Sequence, residues 1–397
     1  MYLDPEEEKM LNGEFGEALA LAMKSVVRVA EALGAERLVR IKNAHVSGIS
    51  YKNIGDEGLE FLEELARKGA RVSVPTTMNP AGFDTGNWMF MGIDSDFYKK
   101  QMRIIEALSA LGVKPTLTCT PYLYGDIHYG DHLAWSESNA VLYANSVIGA
   151  RTNRDGGPLA LFEAVVGRAP LAGLHLEANR IPQLVIDFSD IGRTIEAESA
   201  YSAAGLLVGS LSGEKVPLVR GLELTPGRTS EIKLFLAAAG ASGGTGLVLI
   251  ENVSPEKPQV VGVETVKVDA GMLREVREAY LGGGEATVVL GCPHLSIEEI
   301  IDILRLVNER GAAKHKVFLY TSRTVYESVR GVIPKLKEKN VHVFADTCMV
   351  VSPLSRYAGT SIVTDSGKAA FYLKAQGYDV TLMPRQRALD YAFGGEA

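Results

Sequence analysis

The segment Val288–Gly311 reads VVLGCPHLSIEEIIDILRLVNERG, and its hydrophobic pattern changes near the middle. Its first residues, Val288–Leu290, form a short apolar run of the kind that makes a buried strand. Ser296 and Glu299 then match a capping box, which starts a helix, and Gly311 supplies its stop signal. The apolar residues at helical spacing are Ile297, Ile300, Ile301, Leu304 and Val307. The segment therefore predicts a buried strand followed directly by an amphipathic helix.

This alternation recurs along the chain, with further helices predicted over residues 56–69 and 94–111. The other runs typical of strands are Arg37–Ile41, Val72–Val74, Pro115–Thr118, Gly246–Ile250, Val317–Tyr320, Val341–Phe344, Ile362–Val363 and Val380–Leu382. We therefore predict an α/β fold with several doubly wound, mostly parallel sheets, flanking helices and an active site at the C-terminal edges of the strands. We place a domain boundary near residue 225, between regions 1–225 and 226–397.

Composition and charge limit the classes of function that fit. A chain of 397 residues is longer than one hydrophobic core supports, so we expect two or three domains. The net charge of −7, with Lys and Arg scattered, argues against nucleic-acid binding. No apolar run approaches the roughly 20 residues that span a membrane, and the N-terminal MYLDPEEEKML lacks the pattern of a signal peptide. We expect a cytoplasmic protein that binds neither nucleic acid nor membranes.

The chain has only three cysteines, and each one comes at or just after the end of a predicted strand. Cys119 ends TLTC, Cys292 ends VVLGC and Cys348 ends HVFADTC. Their odd number and wide spacing argue against a disulfide framework. Open α/β sheets bind ligands at this end of their strands. Three uses stay open on these residues alone: buried structural thiols, a zinc site completed by His294, and an iron–sulfur cluster.

Longer motifs carry a resemblance over nearly the whole chain. They are YKNIGDEGLEFLEELARKG at 51–69, VPTTMNPAGFD at 74–84, CTPYLYGDIHYGDHLAWSESNAVLYANSVIGARTNRDGGP at 119–158 and GCPHLS at 291–296. With the isolated third cysteine, these motifs resemble the aconitase X family, and the 119–158 segment is highly specific. The resemblance implies an aconitase-like α/β fold and a large, catalytic subunit.

The resemblance also implies a cofactor and a reaction. Cys119, Cys292 and Cys348 would bind a [4Fe–4S] cluster, whose iron without a protein ligand would act as a Lewis acid toward a hydroxyl leaving group. The implied activity is that of a hydro-lyase in a modified mevalonate pathway of isoprenoid synthesis. It would dehydrate (R)-5-phosphomevalonate to trans-anhydromevalonate 5-phosphate.

Two departures from aconitase itself bear on this expectation. The chain has no C-x-x-C pair, so its three cysteines are remote from one another in sequence. The swivelling domain of aconitases is missing from the chain, and the resemblance implies that it is a separate small subunit. No residue stands out as the base that removes the proton alpha to the carboxylate, so the small subunit is a candidate source of that base.

A phosphorylated substrate needs an anion site, and the sequence offers two. Gly367 and Lys368 follow a predicted strand and begin a helix, whose N–H groups favour a phosphate or carboxylate. Gly48, Ile49 and Ser50 follow the first strand, where glycine allows close backbone approach and serine can donate. The alternatives are a capped helix with an exposed lysine and an ordinary turn.

Asparagine side chains supply further candidates for substrate binding. Asn79, with Pro80, follows a predicted strand, and Asn139 lies near a helix start, so either amide could hydrogen-bond a carboxylate or hydroxyl of the substrate. The alternatives are a turn former and a helix N-cap. We expect His128 and His132, within GDIHYGDH, to be loop histidines.

Two other functions stay open. Within the same family, cis-3-hydroxy-L-proline dehydratase acts on an unphosphorylated substrate. From a different class, a zinc-stabilised binding protein without catalysis would also use isolated cysteines.

Overall fold

The chain folds into two compact units. The structure is a computed structural model, and it describes residues 1–258 and 260–395. Unit 1 comprises Met1–Gly82 and Asp94–Ile181, and unit 2 comprises Phe83–Ile93 and the described residues from Pro182 onward. Among the described residues, no helix combines the length and apolar character that crossing a membrane requires.

Unit 1 contains short strands and mostly longer helices. Its strands are β1 (Leu38–Arg40), β2 (Asn43–Ser47), β3 (Thr76–Asn79), β4 (Leu133–Trp135) and β5 (Arg168–Pro170). Its helices are α1 (Pro5–Asn12), α2 (Glu17–Ala32), α3 (Tyr51–Arg67), α4 (Ser95–Ala110), α5 (Ser138–Tyr143) and α6 (Gly157–Val166). The strands form a parallel sheet in the order β3-β2-β4 and an antiparallel pair of β1 and β5.

Side chains alternate along a strand, so β2 and β3 have one mostly apolar face and one polar face, and the polar face continues onto Leu133 and Trp135 of β4. Val46 and Met78 lie on the apolar face and join the core with α3 and α4. His45, Thr77 and Asn79 lie on the other face, where His45 Nδ1 is 2.6 Å from Thr77 Oγ1. The sheet therefore presents polar side chains near the ends of β2 and β3.

Unit 2 alternates strands and helices more regularly. Its strands are β6 (Leu184–Asp187), β7 (Pro217–Arg220), β8 (Leu249–Ile250), β9 (Thr265–Lys267), β10 (Thr287–Leu295), β11 (Val317–Thr321), β12 (Val341–Ala345), β13 (Ser361–Thr364) and β14 (Asp379–Leu382). Its helices are α7 (Gly192–Ala197), α8 (Tyr201–Ser212), α9 (Thr229–Ser242), α10 (Ala270–Glu278), α11 (Ile297–Arg310), α12 (Arg323–Val329), α13 (Ile333–Glu338), α14 (Ser355–Ala358), α15 (Gly367–Ala375) and α16 (Arg385–Ala392).

The strands of unit 2 form two parallel sheets, as predicted. One sheet has the order β8-β7-β6-β9 and the other the order β12-β11-β10-β13-β14. In the second sheet the chain starts at β10, moves outward to β12, and then returns to the opposite side through β13. The predicted doubly wound arrangement is thus confirmed, with its topological switch point between β10 and β13.

The helix predicted after β10 is confirmed in detail. Ser296 accepts from Glu299 N, the Glu299 side chain accepts from the Ser296 backbone, and Gly311 is the C-cap of α11. The strand itself is longer than its apolar run suggested, because β10 continues through Pro293 to Leu295. Cys292 therefore lies within β10 and not, as the sequence had suggested, after its end.

Two predicted strands of unit 1 are irregular segments instead. In Pro115–Thr118, Pro115 has no N–H to donate and Leu117 has a φ of 50°, so a single bridge at Lys114 replaces a ladder. In Val72–Val74, the backbone N–H groups of Val72 and Ser73 donate to the carbonyls of Leu111 and Ala164 rather than to a strand.

Candidate active site

The switch point of unit 2 brings predicted site residues to one edge of its larger sheet. Cys292 lies near the end of β10, and Gly367 and Lys368 follow β13, its neighbour. In open α/β sheets, ligands bind outside the carboxyl ends of the strands at this point. The topology therefore favours the edge that the sequence had indicated.

Cys292 lies in a bulge of β10. Residues Gly291–His294 stand opposite Tyr320 alone in the pairing with β11. Gly291 has a φ of 107°, and a Cβ there would lie 2.2 Å from the carbonyl oxygen of Tyr320. Only glycine fits this close approach, so the bulge requires the glycine that precedes Cys292. The Cys292 residue is 3% exposed.

His294 connects the bulge of Cys292 with the segment before Cys348. Its ring Nε2 lies 2.9 Å from the carbonyl oxygen of Thr347. A carbonyl oxygen only accepts, so Nε2 carries the hydrogen and donates. The His294 carbonyl in turn accepts from Lys233 Nζ at 2.9 Å. Sequence spacing gave no signal of either contact, because the partners are far apart in the chain.

A buried network of charges lies beside this bulge. Lys233, which is 1% exposed, donates to Glu299 at 2.5 Å. Arg385 donates to the same carboxylate at 2.8 Å and to Asp365 at 2.6 Å. Burial alone would raise the pKa of Glu299, but the charges of Lys233 and Arg385 hold it well below its usual range. Glu299 is therefore ionised, and its network reaches from the start of α11 to Asp365, just before α15.

Cys348 follows β12 after a segment that a second set of charges holds in place. Arg323 donates to Asp346 and, at 2.9 Å, to Asp84. Asp84 also accepts from the backbone N–H of Ala345 at 2.8 Å. The whole set belongs to unit 2, and it fixes the turn at Asp346, whose φ is 67°. Cys348 itself is 8% exposed.

Cys119 of unit 1 is held by neutral hydrogen bonds. Asn139 Nδ2 donates to the Cys119 carbonyl at 2.7 Å, and Asn139 Oδ1 accepts from the Tyr122 hydroxyl at 2.9 Å. Cys119 follows an irregular segment, not a strand, and is 7% exposed. Asn139 therefore lies against the cysteine, as its sequence position suggested, and the N-cap of α5 is Glu137 instead.

Gly48, Ile49 and Ser50 form the tight connection between β2 and α3. Gly48 has a φ of 81°, and Ser50 is the buried N-cap residue of α3. The carbonyl of Ile49 accepts from Gln101 Nε2 at 3.0 Å, while Gln101 Oε1 accepts from Tyr51 N at 2.9 Å. Gln101, which sequence reasoning missed, fixes this turn from α4.

Asn79 and Pro80 are buried at the end of β3. Asn79 Nδ2 donates to Glu137 Oε2 at 3.2 Å, and Asn79 Oδ1 has no hydrogen-bond partner within the described part of the chain. Nearby, burial lowers the pKa of His45 to about 4, so its ring is neutral, and its Nε2 also lacks a partner there. Asn79 Oδ1 is thus a buried acceptor beside His45, and the Asn79 side chain raises the pKa of His45 against the larger effect of burial.

Gly367 and Lys368 begin α15, as predicted. Ser366 is the N-cap, and its hydroxyl accepts from Ala369 N at 3.0 Å. A Cβ at Gly367 would lie 2.8 Å from Ala238 Cβ, so this glycine also permits close packing of α15 on α9. Lys368 is half-buried.

The two loop histidines differ in their surroundings. His128 is exposed and lies near Lys42, Asp126 and Asp131. His132 is half-buried, with its Nδ1 2.9 Å from His175 Nδ1. Neither contact places a histidine against a predicted cysteine ligand.

The three cysteines are buried and form no disulfide, with one in unit 1 and two in unit 2. Within either unit, the described residues contain no group of three or more His, Cys, Asp or Glu side chains that could hold a metal ion. Thiolates are the usual ligands of iron–sulfur clusters, so the chemistry of the donors fits such a group.

Family models show the class to which this fold and site belong. The first, second and third domains of aconitase X match residues 1–178, 182–278 and 286–394. The chain therefore belongs to the aconitase X family, as its motifs predicted.

Individual relatives are similar over nearly the whole chain. The phosphomevalonate dehydratase large subunit of Thermococcus kodakarensis is 40% identical over 96% of this chain and 97% of its own length. The cis-3-hydroxy-L-proline dehydratase of Pseudomonas aeruginosa is 33% identical over 93% of this chain and 66% of its own length. A crystal structure of Thermococcus kodakaraensis aconitase X, in its holo form, has a TM-score of 0.90 and 39% identity, and the match covers 99% of this chain and 100% of that chain.

Proposed function

We propose that the chain is the large subunit of a phosphomevalonate dehydratase. This hydro-lyase removes water from (R)-5-phosphomevalonate to give trans-anhydromevalonate 5-phosphate in a modified mevalonate pathway. The observation that carries the proposal is 40 to 41% identity to five large subunits of that name, over 94 to 97% of this chain. The doubly wound sheet, with a cysteine bulge at its switch point, supports it.

Cys119, Cys292 and Cys348 are the proposed ligands of a [4Fe–4S] cluster. When bound, the cluster supplies an iron without a protein ligand, which serves as a Lewis acid for the hydroxyl that leaves. The residues of the chain keep the thiols in place before any ligand arrives. Asn139 holds the Cys119 backbone, and His294 holds the segments of the other two cysteines.

The polar residues at the sheet edges are the proposed substrate site. Gly367 and Lys368 offer N–H groups and a positive charge to the phosphate, and Gly48, Ile49 and Ser50 are a second anion site. Asn79 presents its Oδ1 to a hydroxyl of the substrate, and Pro80 fixes the backbone that follows. Asn139 uses its remaining N–H toward the substrate, because its other N–H and its oxygen hold the Cys119 segment.

A separate small subunit completes the proposed enzyme. The similar proteins are named large subunits, which implies a smaller partner. We assign the swivelling domain to that partner, and with it the base that takes the proton alpha to the carboxylate.

The test is anaerobic reconstitution of the chain with iron and sulfide, together with the small subunit from the same source. We expect a brown protein that converts (R)-5-phosphomevalonate to a product one water lighter, measured by mass spectrometry. Each of Cys119→Ala, Cys292→Ala and Cys348→Ala should lose the visible absorbance of the cluster and the activity. A variant that keeps both would refute its ligand assignment.

The same assay separates the second candidate, cis-3-hydroxy-L-proline dehydratase, which the Pseudomonas aeruginosa relative favours. Turnover of cis-3-hydroxy-L-proline without turnover of phosphomevalonate would establish this alternative. Lys368→Ala provides a matched check, since it should raise the KM for the phosphorylated substrate only. Colourless protein with stoichiometric zinc would instead support a binding protein without catalysis.

A further inference from the structure

We propose that His294 is a positioning residue that fixes the segments of Cys292 and Cys348 relative to each other. The proposal rests on the proposed function only in taking these cysteines as cluster ligands. The contact on which it depends lies entirely within unit 2.

The first step is the bridge itself. His294 is two residues after Cys292 in the bulge of β10, and its Nε2 donates to the carbonyl of Thr347, directly before Cys348. The histidine is 1% exposed, so water does not compete for this hydrogen bond. A shift of either segment would leave a buried donor and a buried acceptor unsatisfied.

The backbone that carries His294 is itself held by hydrogen bonds. Lys233, from α9, donates to the His294 carbonyl at 2.9 Å and is itself held by Glu299. Leu295, the next residue, is fixed by Thr321, whose hydroxyl donates to its carbonyl at 2.6 Å. The backbone on the C-terminal side of Cys292 is therefore hydrogen-bonded to α9 and β11, and the His294 ring links this backbone to the Cys348 segment.

The hydrogen bond and the burial of the His294 ring limit the other roles that it can have. Nε2 is directed at a carbonyl oxygen, so Nε2 itself is occupied by this hydrogen bond and does not act as a ligand. The burial of the ring also separates it from solvent, which argues against proton exchange during turnover. Both observations fit a positioning role for the Nε2 side of the ring.

The test compares His294→Leu, which removes the donor, with His294→Gln, whose amide N–H can replace Nε2. Thiol alkylation of the cluster-free protein is followed by mass spectrometry for each cysteine. We expect His294→Leu to speed the labelling of Cys292 and Cys348 about fivefold, and His294→Gln to restore nearly the rate of the unchanged protein. Labelling of Cys119 should not change.

His342→Leu is a matched control in unit 2. His342 lies in β12, and its ring stacks on that of Phe90, with the centroids 4.8 Å apart, so it takes no part in the bridge. It should leave all labelling rates unchanged. Equal rates in His294→Leu and the unchanged protein would overturn the proposal, as would an equal rise at Cys119. Should His294→Leu fail to fold, Thr321→Val, which releases the carbonyl of the neighbouring Leu295, carries the same test and should raise the labelling of Cys292 most.

The loaded protein gives a second readout. His294→Leu should release iron to a chelator about fivefold faster and change the electron paramagnetic resonance signal of the reduced cluster, while His294→Gln should do neither. If neither the unchanged protein nor any variant binds a cluster, the ligand assignment fails. The labelling of the cysteines in the cluster-free protein still decides the positioning role in that case.

Discussion

The cysteine segments of the two units are held by different kinds of contact. In unit 1, Cys119 is held by the amide of Asn139 and, behind it, the hydroxyl of Tyr122. In unit 2, the bulge of Cys292 is held through the buried ammonium of Lys233. A neutral hydrogen bond contributes about 0.5–1.5 kcal/mol, whereas breaking a buried ion pair costs about 3–5 kcal/mol. The cysteine segment of unit 2 therefore depends more strongly on a single side chain.

The buried carboxylates of the two units differ in the same way. Both carboxylate oxygens of Glu163 and Oδ2 of Asp155, in unit 1, lack hydrogen-bond partners among the described residues. Burial raises the pKa of Asp155 to about 7, and burial with the charge of Asp155 raises the pKa of Glu163 well above its usual range. Glu299 of unit 2 is ionised, because cations surround it. Asp155 and Glu163 of unit 1 are thus neutralised by protons and Glu299 of unit 2 by lysine and arginine, although the buried Glu7 of unit 1 also pairs with an arginine, Arg168.

Lys233→Met should have the largest effect. It leaves the charge of Glu299 without its closest cation in a buried site, so we expect a loss of about 3–5 kcal/mol in the free energy of unfolding. Urea unfolding at neutral pH measures the change. Arg305→Met is the control, because Arg305 and Asp302 form an exposed pair that contributes at most about 1 kcal/mol. Equal losses in the two variants would show that burial does not make the Lys233–Glu299 pair more important for stability than an exposed pair.

Asp155→Asn should reveal the opposite behaviour in unit 1. Folded Asp155 has a pKa of about 7 against an ordinary 3.8, so its contribution to stability is complete below pH 3.8 and is lost as the pH rises through about 7. At pH 8 the amide should therefore be more stable than the carboxylate by about 2–4 kcal/mol, since each pKa unit corresponds to about 1.4 kcal/mol. At pH 5 the gain should fall to about 1–2 kcal/mol, because Asp155 is then protonated in the folded state but still ionised in the unfolded state.

Urea unfolding of both proteins from pH 5 to pH 8.5 checks this prediction. For Glu299→Gln the sign is reversed, because a depressed pKa gives stability that is lost only as the pH falls. A parallel pH dependence in Asp155→Asn and Glu299→Gln would contradict the contrast.

Sequence reasoning predicted the elements whose signals are local. The capping box of Ser296 and Glu299, the stop at Gly311 and the parallel strands of unit 2 all follow from residues close in the chain. Family motifs extended this to the fold as a whole. These signals suffice for the start of β10 and for α11, because the apolar run, the capping box and the stop are all local.

The supports of the site could not be predicted in this way. Lys233 and Glu299 are 66 residues apart, and His294 and Thr347 are 53 apart, so no short spacing indicates either contact. The bulge at Gly291 is equally hidden, because its cause is the carbonyl of Tyr320 on another strand. In the sequence, Asp155 and Glu163 are simply two acidic residues. Their protonation follows from burial, which the sequence does not show.

Arg385→Met should weaken unit 2 less than Lys233→Met does. Arg385 donates to both Glu299 and Asp365, but its side chain is 21% exposed and Lys233 stays in place. We expect a loss of about 1–3 kcal/mol in the free energy of unfolding by urea. Added salt should reduce the stability loss of Arg385→Met more than the stability loss of Lys233→Met, because the guanidinium is nearer to solvent. A loss as large as that of Lys233→Met would show that the two cations contribute equally.

Tyr122→Phe should have the smallest effect and tests the neutral support of unit 1. The ring keeps its stacking on Tyr143, with centroids 3.9 Å apart, and only the hydroxyl that donates to Asn139 is lost. The Asn139 oxygen then has one donor fewer inside the core, so we expect a loss of about 1 kcal/mol. Alkylation of Cys119 in the cluster-free protein should become about fivefold faster, while the rates at Cys292 and Cys348 stay unchanged. A loss above about 3 kcal/mol, the range of a broken buried ion pair, would show that neutral contacts hold a cysteine segment as firmly as charges do.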